Sequence, residues 1–306
     1  MTESLRGVMA AVLTPLDASL SPDRTRMASH CRWLLENGCN GLAVLGTTGE
    51  ANSFSVDERM DLLDHLIEDG IPGNTLLPGT GCCAVPDTVR LTRKAMELGA
   101  GGVLMLPPFY YKNVSDDGVF AAYADVIEQV GDARLKVYLY HFPQMSGVAL
   151  GPVLIERLLK QYPDTIAGMK DSSGNFSNMV HNTNTFPGFA VISGSDEFLL
   201  PLLKEGGAGC ITAVSNVAVS IAAEVHAAWA AGDLEDAERA QARLTLVRRA
   251  ISAYPLTAAL KEILARHGDD DDWRRVRPPL RNLAAAEASD VALALDLLGF
   301  EPPPLP

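Results

Sequence analysis

Thr165-Ile-Ala-Gly-Met-Lys-Asp-Ser-Ser-Gly174 is the stretch that decides the fold, because it places one lysine where a short apolar run ends. Ile166–Met169 predicts a buried strand, and Lys170 follows it directly, before a polar loop that contains glycine. Burial disfavours the charged ammonium, and a neutral amine can attack a carbonyl carbon to form a Schiff base. The alternative is a lysine that extends its ammonium to water from the rim of a barrel.

The run Ile166–Met169 is one of eight short apolar runs, and longer helical patterns separate them along the chain. Because the runs are mostly apolar rather than alternating, they predict parallel strands covered on both faces. The other seven are Val8–Leu13, Gly41–Leu45, Thr75–Pro78, Gly102–Leu106, Leu135–Tyr140, Phe189–Ile192 and Gly209–Ala213. Eight strands alternating with helices predict an α/β fold, a (β/α)8 TIM barrel. A doubly wound sheet is the alternative, although no GxGxxG follows the first strand.

The composition changes after the eighth strand, where residues 218–298 are rich in alanine and helical in pattern. We therefore predict a barrel core over residues 1–217. Residues 218–306 are predicted to form the last barrel helix and a C-terminal helical extension. The acidic run Asp269–Asp272 and the arginines after it are interpreted as a solvated loop with a basic stretch. The final residues, Glu301–Pro306, are interpreted as a loose tail.

The composition also limits the partners and the compartment of the protein. Its 306 residues carry a formal net charge of −13, which argues against a nucleic-acid-binding surface. Five cysteines without a zinc-binding or CxxC spacing are interpreted as reduced thiols. The first six residues lack the basic and apolar regions of an export signal, and no apolar run approaches the roughly 18 residues of a membrane span. These features predict a cytoplasmic protein without nucleic-acid or membrane partners.

Active sites of such barrels form at the C-terminal ends of the strands, so the residues directly after each apolar run are informative. Gly46-Thr47-Thr48-Gly49-Glu50 follows the second strand, and its backbone N–H groups can converge on an anion. A helix-entry turn capped by threonine is the alternative interpretation. Tyr110 and Tyr111 follow the fourth strand, Tyr140 ends the fifth, and Gly194 lies in the polar loop after the seventh.

One lysine, several tyrosines and a threonine-rich turn on the same rim suit a reaction of a 2-keto acid. The Lys170 amine would form an imine with the keto group while the turn binds the carboxylate. A tyrosine hydroxyl would transfer protons, and neighbouring hydroxyls would assist it because an unperturbed tyrosine pKa is about 10. A metal-dependent aldolase would need a His/Asp/Glu cluster. Only His141 lies at a strand end, so no metal site is predicted.

These motifs occur in a specific order: GTTGE, the tyrosine pair, Tyr140-x-x-Pro143, Gly168-Met-Lys-Asp-Ser172 and Gly194. On them the chain resembles the dihydrodipicolinate synthase and N-acetylneuraminate lyase family of pyruvate-dependent class I aldolases. The resemblance covers the barrel and extends to the helical tail. It implies a homotetramer of (β/α)8 barrels that acts on a small-molecule 2-keto acid without a bound cofactor.

The resemblance also implies roles for individual residues. Lys170 would be the Schiff-base lysine and Tyr140 the proton-transfer residue. Thr47 would link Tyr140 to Tyr111 of a neighbouring subunit, with Tyr110 as the alternative to Tyr111. The substrate-binding residues would be Thr48, which holds the keto-acid carboxylate, together with Gly194 and Ile211.

Met145 separates the chain from the synthases of this family, which usually have an arginine two residues after the proline of Tyr-x-x-Pro. That arginine binds the carboxylate of aspartate semialdehyde, and methionine cannot replace its paired hydrogen bonds. Asp196 and Glu197 resemble the acidic pair that holds sugar hydroxyls in the lyases. The alternative is that they complement a helix N-terminus. We therefore expect an acidic mouth that accepts neutral hydroxyls better than an anionic tail.

The favoured function is a Schiff-base aldolase or lyase that cleaves a 2-keto-3-deoxy sugar acid to pyruvate and an aldehyde. Two residues argue against sialic acid as the substrate: Ala213 replaces a sugar-contacting serine of the lyases, and Thr47 replaces a serine of their turn. The alternatives are dihydrodipicolinate synthase activity, a Schiff-base dehydratase of keto-sugar acids, and a non-catalytic homologue that binds keto acids.

Overall fold

The structure is a computed structural model that describes residues 5–305, and within them seven β-strands form one parallel sheet. The strands are β1 (Gly7–Ala11), β2 (Gly41–Ala43), β3 (Val103–Met105), β4 (Val137–His141), β5 (Ile166–Asp171), β6 (Ala190–Ser193) and β7 (Gly209–Thr212). Their order in the sheet is β2-β1-β7-β6-β5-β4-β3. Met1 to Ser4 lie outside the described residues. They belong to the N-terminal segment for which the sequence predicts no export signal.

Residues 76–79 join the two edges of this sheet and close it into a barrel. The Leu77 N–H donates to the Leu42 carbonyl at 2.9 Å, and the Leu104 N–H donates to the Pro78 carbonyl at 2.9 Å. The predicted third strand, Thr75–Pro78, is therefore present only as isolated bridges, because Pro78 has no N–H to donate to a ladder. Thr75 instead ends a short 3₁₀ turn. The predicted (β/α)8 architecture is confirmed.

Twelve α-helices in residues 5–305 surround the barrel and continue beyond it. They are α1 (Arg24–Glu36), α2 (Val56–Glu68), α3 (Val85–Glu97), α4 (Asp116–Val130), α5 (Pro143–Ser146), α6 (Pro152–Gln161), α7 (Phe176–Thr185), α8 (Leu199–Lys204), α9 (Ser215–Ala230), α10 (Leu234–Ser252), α11 (Leu256–His267) and α12 (Ala285–Leu297). In the described part of the chain, no helix combines the length and the apolar character needed to cross a membrane.

The barrel interior is filled by side chains from alternate positions of the strands. Met9, Leu104, Tyr138, Ile192 and Ile211 are among the buried residues of this inner cluster. Larger apolar clusters occupy the space between the strands and the surrounding helices. Because the interior is packed, a ligand site must lie at an open end of the barrel.

The C-terminal helices α10 and α11 pack against α9, and α12 packs against α10 and α11. The predicted division between residues 217 and 218 falls inside α9, next to Ala218, whose φ of −117° departs from helical geometry. The division into two parts stays a prediction. Pro255 directly precedes α11, at one of the predicted helix breaks.

Two segments predicted to be loose are instead attached to the barrel. Arg277 donates to the Ser53 carbonyl at 2.7 Å and also pairs with Glu58, so the basic stretch is not simply solvated. In the tail, the Pro304 carbonyl accepts a hydrogen bond from Trp33 Nε1 at 2.7 Å. The sequence pattern missed both contacts because the partners are more than two hundred residues away along the chain. Pro306 lies outside the described residues.

Candidate active site

A cavity of about 760 Å³ opens at the C-terminal ends of the strands, between the barrel and the C-terminal helices. Seven of the residues predicted from sequence line it: Thr47, Thr48, Tyr140, Met145, Lys170, Gly194 and Glu197. A cavity of this size suits a small organic ligand. The position agrees with the usual location of active sites in barrels of this kind.

Lys170 lies at the end of β5, as predicted, and the strand continues one residue further to Asp171. Its side chain is 5% exposed, and within residues 5–305 it has no hydrogen-bond or ion-pair partner. Its Nζ is 4.5 Å from the centroid of the Tyr140 ring. The aromatic face attracts the cation but does not neutralise it as a carboxylate would. The amine therefore remains available to a carbonyl compound in the cavity.

Tyr140 lies on the neighbouring strand β4 and brings a hydroxyl to the same place. Its Oη is 3.4 Å from Thr47 Oγ1, a long hydrogen bond in which either group can donate. The ring is buried and packs against Phe142, with the centroids 5.8 Å apart. The predicted link between Thr47 and Tyr140 is thus present in the geometry.

The turn that carries Thr47 and Thr48 is held in an unusual backbone conformation. Leu45 and Glu50, which flank its four central residues, have φ values of 55° and 56°. Such left-handed residues cost free energy and persist where the surroundings enforce them. Within residues 5–305, the N–H groups of Thr47 and Thr48 donate to no other group of the chain. They are free to bind an anion.

Buried contacts hold this turn in place. A Cβ on Gly49 would lie 2.7 Å from the Val12 carbonyl oxygen, so only glycine fits there. The carboxylate of Glu50 pairs with Lys261 of α11 at 2.5 Å, and both side chains are fully buried. It also accepts the Arg277 N–H at 2.8 Å. Glu50 therefore joins the turn to the C-terminal helices and is not a ligand of the cavity.

The loop after β6 approaches the end of β5 closely. The Gly194 N–H donates to the Asp171 carbonyl at 2.7 Å, and a Cβ on Gly194 would overlap Ser172 Oγ. Asp171 is itself fully buried and accepts hydrogen bonds from the Ser173 N–H at 2.8 Å and from Asn178 Nδ2 at 2.7 Å. These contacts fix the backbone directly after Lys170.

Three predicted site residues do not reach the cavity. Asp196 is fully buried, and its Oδ1 accepts a hydrogen bond from Thr212 Oγ1 at 2.6 Å, while burial raises the pKa of its carboxyl. Ile211 packs inside the barrel. Tyr111 is 73% exposed and forms an edge-to-face pair with Tyr110, whose centroid is 5.4 Å away. A direct contact of Asp196 or Ile211 side chains with substrate is thus not supported, because neither faces the cavity.

The acidic character predicted for the mouth is also wrong. Of the acidic pair only Glu197 lines the cavity, and Arg249 donates to it at 2.9 Å from the solvent side. Arg248 of α10 and Arg281, which precedes α12, line the same cavity. Sequence reasoning missed both arginines because no motif surrounds them, and only the packing of the C-terminal helices brings them to the barrel mouth.

His141, the last residue of β4, is hydrogen-bonded to the backbone. Its Nδ1 accepts the Leu150 N–H at 3.1 Å, and burial lowers the pKa of the imidazole. Among residues 5–305, no three His, Cys, Asp or Glu side chains converge in a way that could hold a metal ion. His141 is therefore a structural acceptor that ties the α5–α6 connection to the strand.

A sequence model of the Dihydrodipicolinate synthetase family matches residues 4–297. The chain belongs to this family. An "Uncharacterized DapA-like lyase" of Chloroflexus aurantiacus is 34% identical over 95% of this chain and 96% of its own length. A 4-hydroxy-tetrahydrodipicolinate synthase of Acidiphilium cryptum is 31% identical over 96% of this chain and 98% of its own.

The solved structures of the family share the fold. The E. coli K12 prophage protein YagE, crystallised in complex with pyruvate, has a TM-score of 0.88 and 26% identity over 96% of this chain and 98% of its own. Members of the Dihydrodipicolinate synthetase family are pyruvate-dependent class I lyases, and this chain is an enzyme of that kind.

Proposed function

We propose that this enzyme cleaves a 2-keto-3-deoxy sugar acid to pyruvate and an aldehyde through an imine on Lys170. The observation that carries the proposal is the buried Lys170 amine, which has no anionic partner within residues 5–305 and lies against Tyr140. The free N–H groups of Thr47 and Thr48 support it, because they suit the carboxylate of a 2-keto acid.

The reaction would begin with attack of Lys170 Nζ on the C2 carbonyl of the substrate. The Tyr140 hydroxyl would protonate the carbinolamine oxygen, so that water leaves and the imine forms. The Tyr140 oxyanion left by this step would then take the proton of the C4 hydroxyl, and the C3–C4 bond would break. The electron pair moves into the imine to give an enamine, and the C4 end leaves as an aldehyde. Protonation of the enamine carbon and hydrolysis of the imine release pyruvate and regenerate Lys170.

We further propose that Tyr111 of a neighbouring subunit completes the proton relay through Thr47, within a homotetramer. The exposure of Tyr110 and Tyr111, both 73%, supports an interface at this loop. Tyr110 is the alternative for the same role. The five cysteines are free thiols, which supports a cytoplasmic location.

Dihydrodipicolinate synthesis is the second candidate, favoured by the similarity to the 4-hydroxy-tetrahydrodipicolinate synthase of Acidiphilium cryptum. Met145 argues against it, because it occupies the position where the synthases usually have their arginine. A Schiff-base dehydratase would use the same imine and differs only in which bond breaks next. A non-catalytic binding protein would not need the paired Tyr140 and Thr47 hydroxyls.

The test is a coupled assay of pyruvate release over a panel of 2-keto-3-deoxy acids, beside condensation of pyruvate with aspartate semialdehyde. The proposal expects pyruvate release from a hexonate, hexarate or pentonate at a kcat/KM above that of the condensation. Lys170→Met is the inactive control. Consumption of the acid without pyruvate release would identify a dehydratase, and activity confined to aspartate semialdehyde would identify the synthase.

A further inference from the structure

Arg248 is a cation in the cavity that the proposed chemistry does not use. It lines the cavity together with Lys170 and is half-buried. Among residues 5–305 it forms no hydrogen bond and no ion pair, whereas the neighbouring arginines on α10 are paired. A half-buried guanidinium with no partner is an unusual placement, because its donors are then satisfied only by water or by a ligand.

The position of Arg248 is fixed by the contacts of its helix. Gln241 lies two turns earlier on the same face of α10, and Leu244 of that face is fully buried. Gln241 Nε2 donates to the Asp196 carbonyl at 3.0 Å, and its Oε1 accepts the Leu200 N–H at 2.9 Å. These hydrogen bonds hold the face of α10 that carries Arg248 against the loop after β6.

Apart from Lys170, the other charged side chains that line the cavity already have partners, including Asp171, which accepts two hydrogen bonds. Glu197 pairs with Arg249, and Arg281 forms two hydrogen bonds to Glu287, at 2.7 and 2.8 Å. Asp196 lies behind the wall, with Thr212 donating to it. Arg248 is close enough to Asp196 to lower the pKa of that carboxyl, against the raising effect of burial. It forms no hydrogen bond or ion pair within residues 5–305, so its N–H donors remain available to a second anion in the cavity.

We propose that Arg248 binds an anionic group, a carboxylate or a phosphate, at the end of the substrate remote from its 2-keto acid. The planar guanidinium matches both groups with paired hydrogen bonds. The inference rests on the proposed function and narrows it: the substrate is a sugar acid with a second anion, such as a hexarate or a phosphorylated hexonate. It replaces the expectation of a neutral tail.

The test compares affinities within two ligand pairs that differ only at the remote end. The first pair is 2-ketohexanoate and 2-ketoadipate, measured by calorimetry on the full chain. The second is 2-keto-3-deoxygluconate and its 6-phosphate, measured with Lys170→Met so that neither is cleaved. We expect the anionic member of one pair to bind about tenfold more tightly, and the pair that shows it identifies the group.

Arg248→Met should reduce the ratio between the affinities of the anionic and the neutral ligand to about one. Arg248→Lys should keep part of this preference. Arg243→Met is the matched control, because Arg243 is on the same helix but is exposed and pairs with Glu224 at 3.0 Å. It removes the same charge and should keep the wild-type ratio.

The proposal is overturned if both pairs give an affinity ratio near one while Arg248 is present, or if Arg248→Met retains the preference. Calorimetry needs no imine, so this result is independent of whether Lys170 reacts. Failure of Lys170 to form an imine with pyruvate would instead refute the proposed function.

Discussion

Lys170 and Tyr140 are directly paired residues of the adjacent parallel strands β5 and β4, and the lysine Nζ lies 4.5 Å from the centroid of the tyrosine ring. Paired positions on neighbouring strands direct their side chains to the same face. The register of these two strands therefore brings a nucleophile and a proton-transfer group together at the mouth of the barrel. The chemistry proposed for the enzyme depends on this pairing.

Tyr140→Phe should lower turnover by about 10²–10⁴, the usual contribution of a positioned proton-transfer group. Substrate binding should change much less, because the ring and its packing remain. Tyr138→Phe is the matched control, since Tyr138 is two residues earlier on β4 and its hydroxyl accepts the Leu5 N–H at 2.7 Å, away from the cavity. Steady-state kinetics of both variants make the comparison. If the turnover of Tyr140→Phe stays within a few-fold of wild type, Tyr140 only lines the cavity and does not transfer protons.

Lys261→Met should destabilise the protein by about 3–5 kcal/mol, because it leaves the Glu50 carboxylate buried without its partner. The double variant Glu50→Gln/Lys261→Met removes both charges and should lose less free energy of unfolding than Lys261→Met alone. Denaturant unfolding measures the free energies. Lys204→Met, which breaks the exposed pair with Glu238, is the control and should cost less than about 1 kcal/mol. Equal losses for Lys261→Met and Lys204→Met would contradict the role assigned to Glu50.

Local sequence patterns predicted the features whose contacts are local. The apolar runs indicated the barrel, and the local sequence Ser55-Val-Asp-Glu58 forms a capping box at the start of α2, in which the Ser55 N–H donates to Glu58 at 2.8 Å. Lys170 was predicted at the end of an apolar strand, and β5 ends one residue later, at Asp171. The pattern thus located this strand end to within one residue.

The rest of the site depends on contacts between distant parts of the chain. Asp196 looked like a ligand, but Thr212, sixteen residues later, holds its carboxylate behind the wall. Arg248 lies in an ordinary helical pattern, and only the packing of α10 against the loop after β6 brings it to the cavity. No local motif encodes either outcome.

Glu58→Gln should lower the melting temperature at neutral pH and have a smaller effect in acid. The hydrogen bonds from Arg277 hold the pKa of Glu58 at about 2, below its ordinary 4.5. A depressed carboxyl pKa stabilises the fold fully above the unfolded value, and that contribution is lost as the pH falls from 4.5 toward 2. Melting curves from pH 7 to pH 3 test this, with the exposed Glu97→Gln as control. A difference in melting temperature between Glu58→Gln and wild type that stays constant from pH 7 to pH 3 would contradict this prediction.

Met145→Arg should raise the kcat/KM for condensation of pyruvate with aspartate semialdehyde by about tenfold, since it adds a charge-assisted partner for that carboxylate. Met145 is 59% exposed, so the longer side chain can be accommodated. The kcat/KM for sugar-acid cleavage should still exceed that for the condensation, although by a smaller factor. The reason is that a guanidinium needs supporting contacts to hold it in the right position. Met145→Gln controls for polarity without charge. Should wild type already prefer aspartate semialdehyde, the synthase would replace the aldolase as the proposed function.

The central claim is that Lys170 forms an imine with pyruvate, and reductive trapping tests it most directly. Borohydride reduction in the presence of pyruvate followed by peptide mass analysis should show a three-carbon adduct on the peptide that contains Lys170. The adduct should be absent from Lys170→Met. An adduct found only on another lysine, or none at saturating pyruvate, would contradict the account.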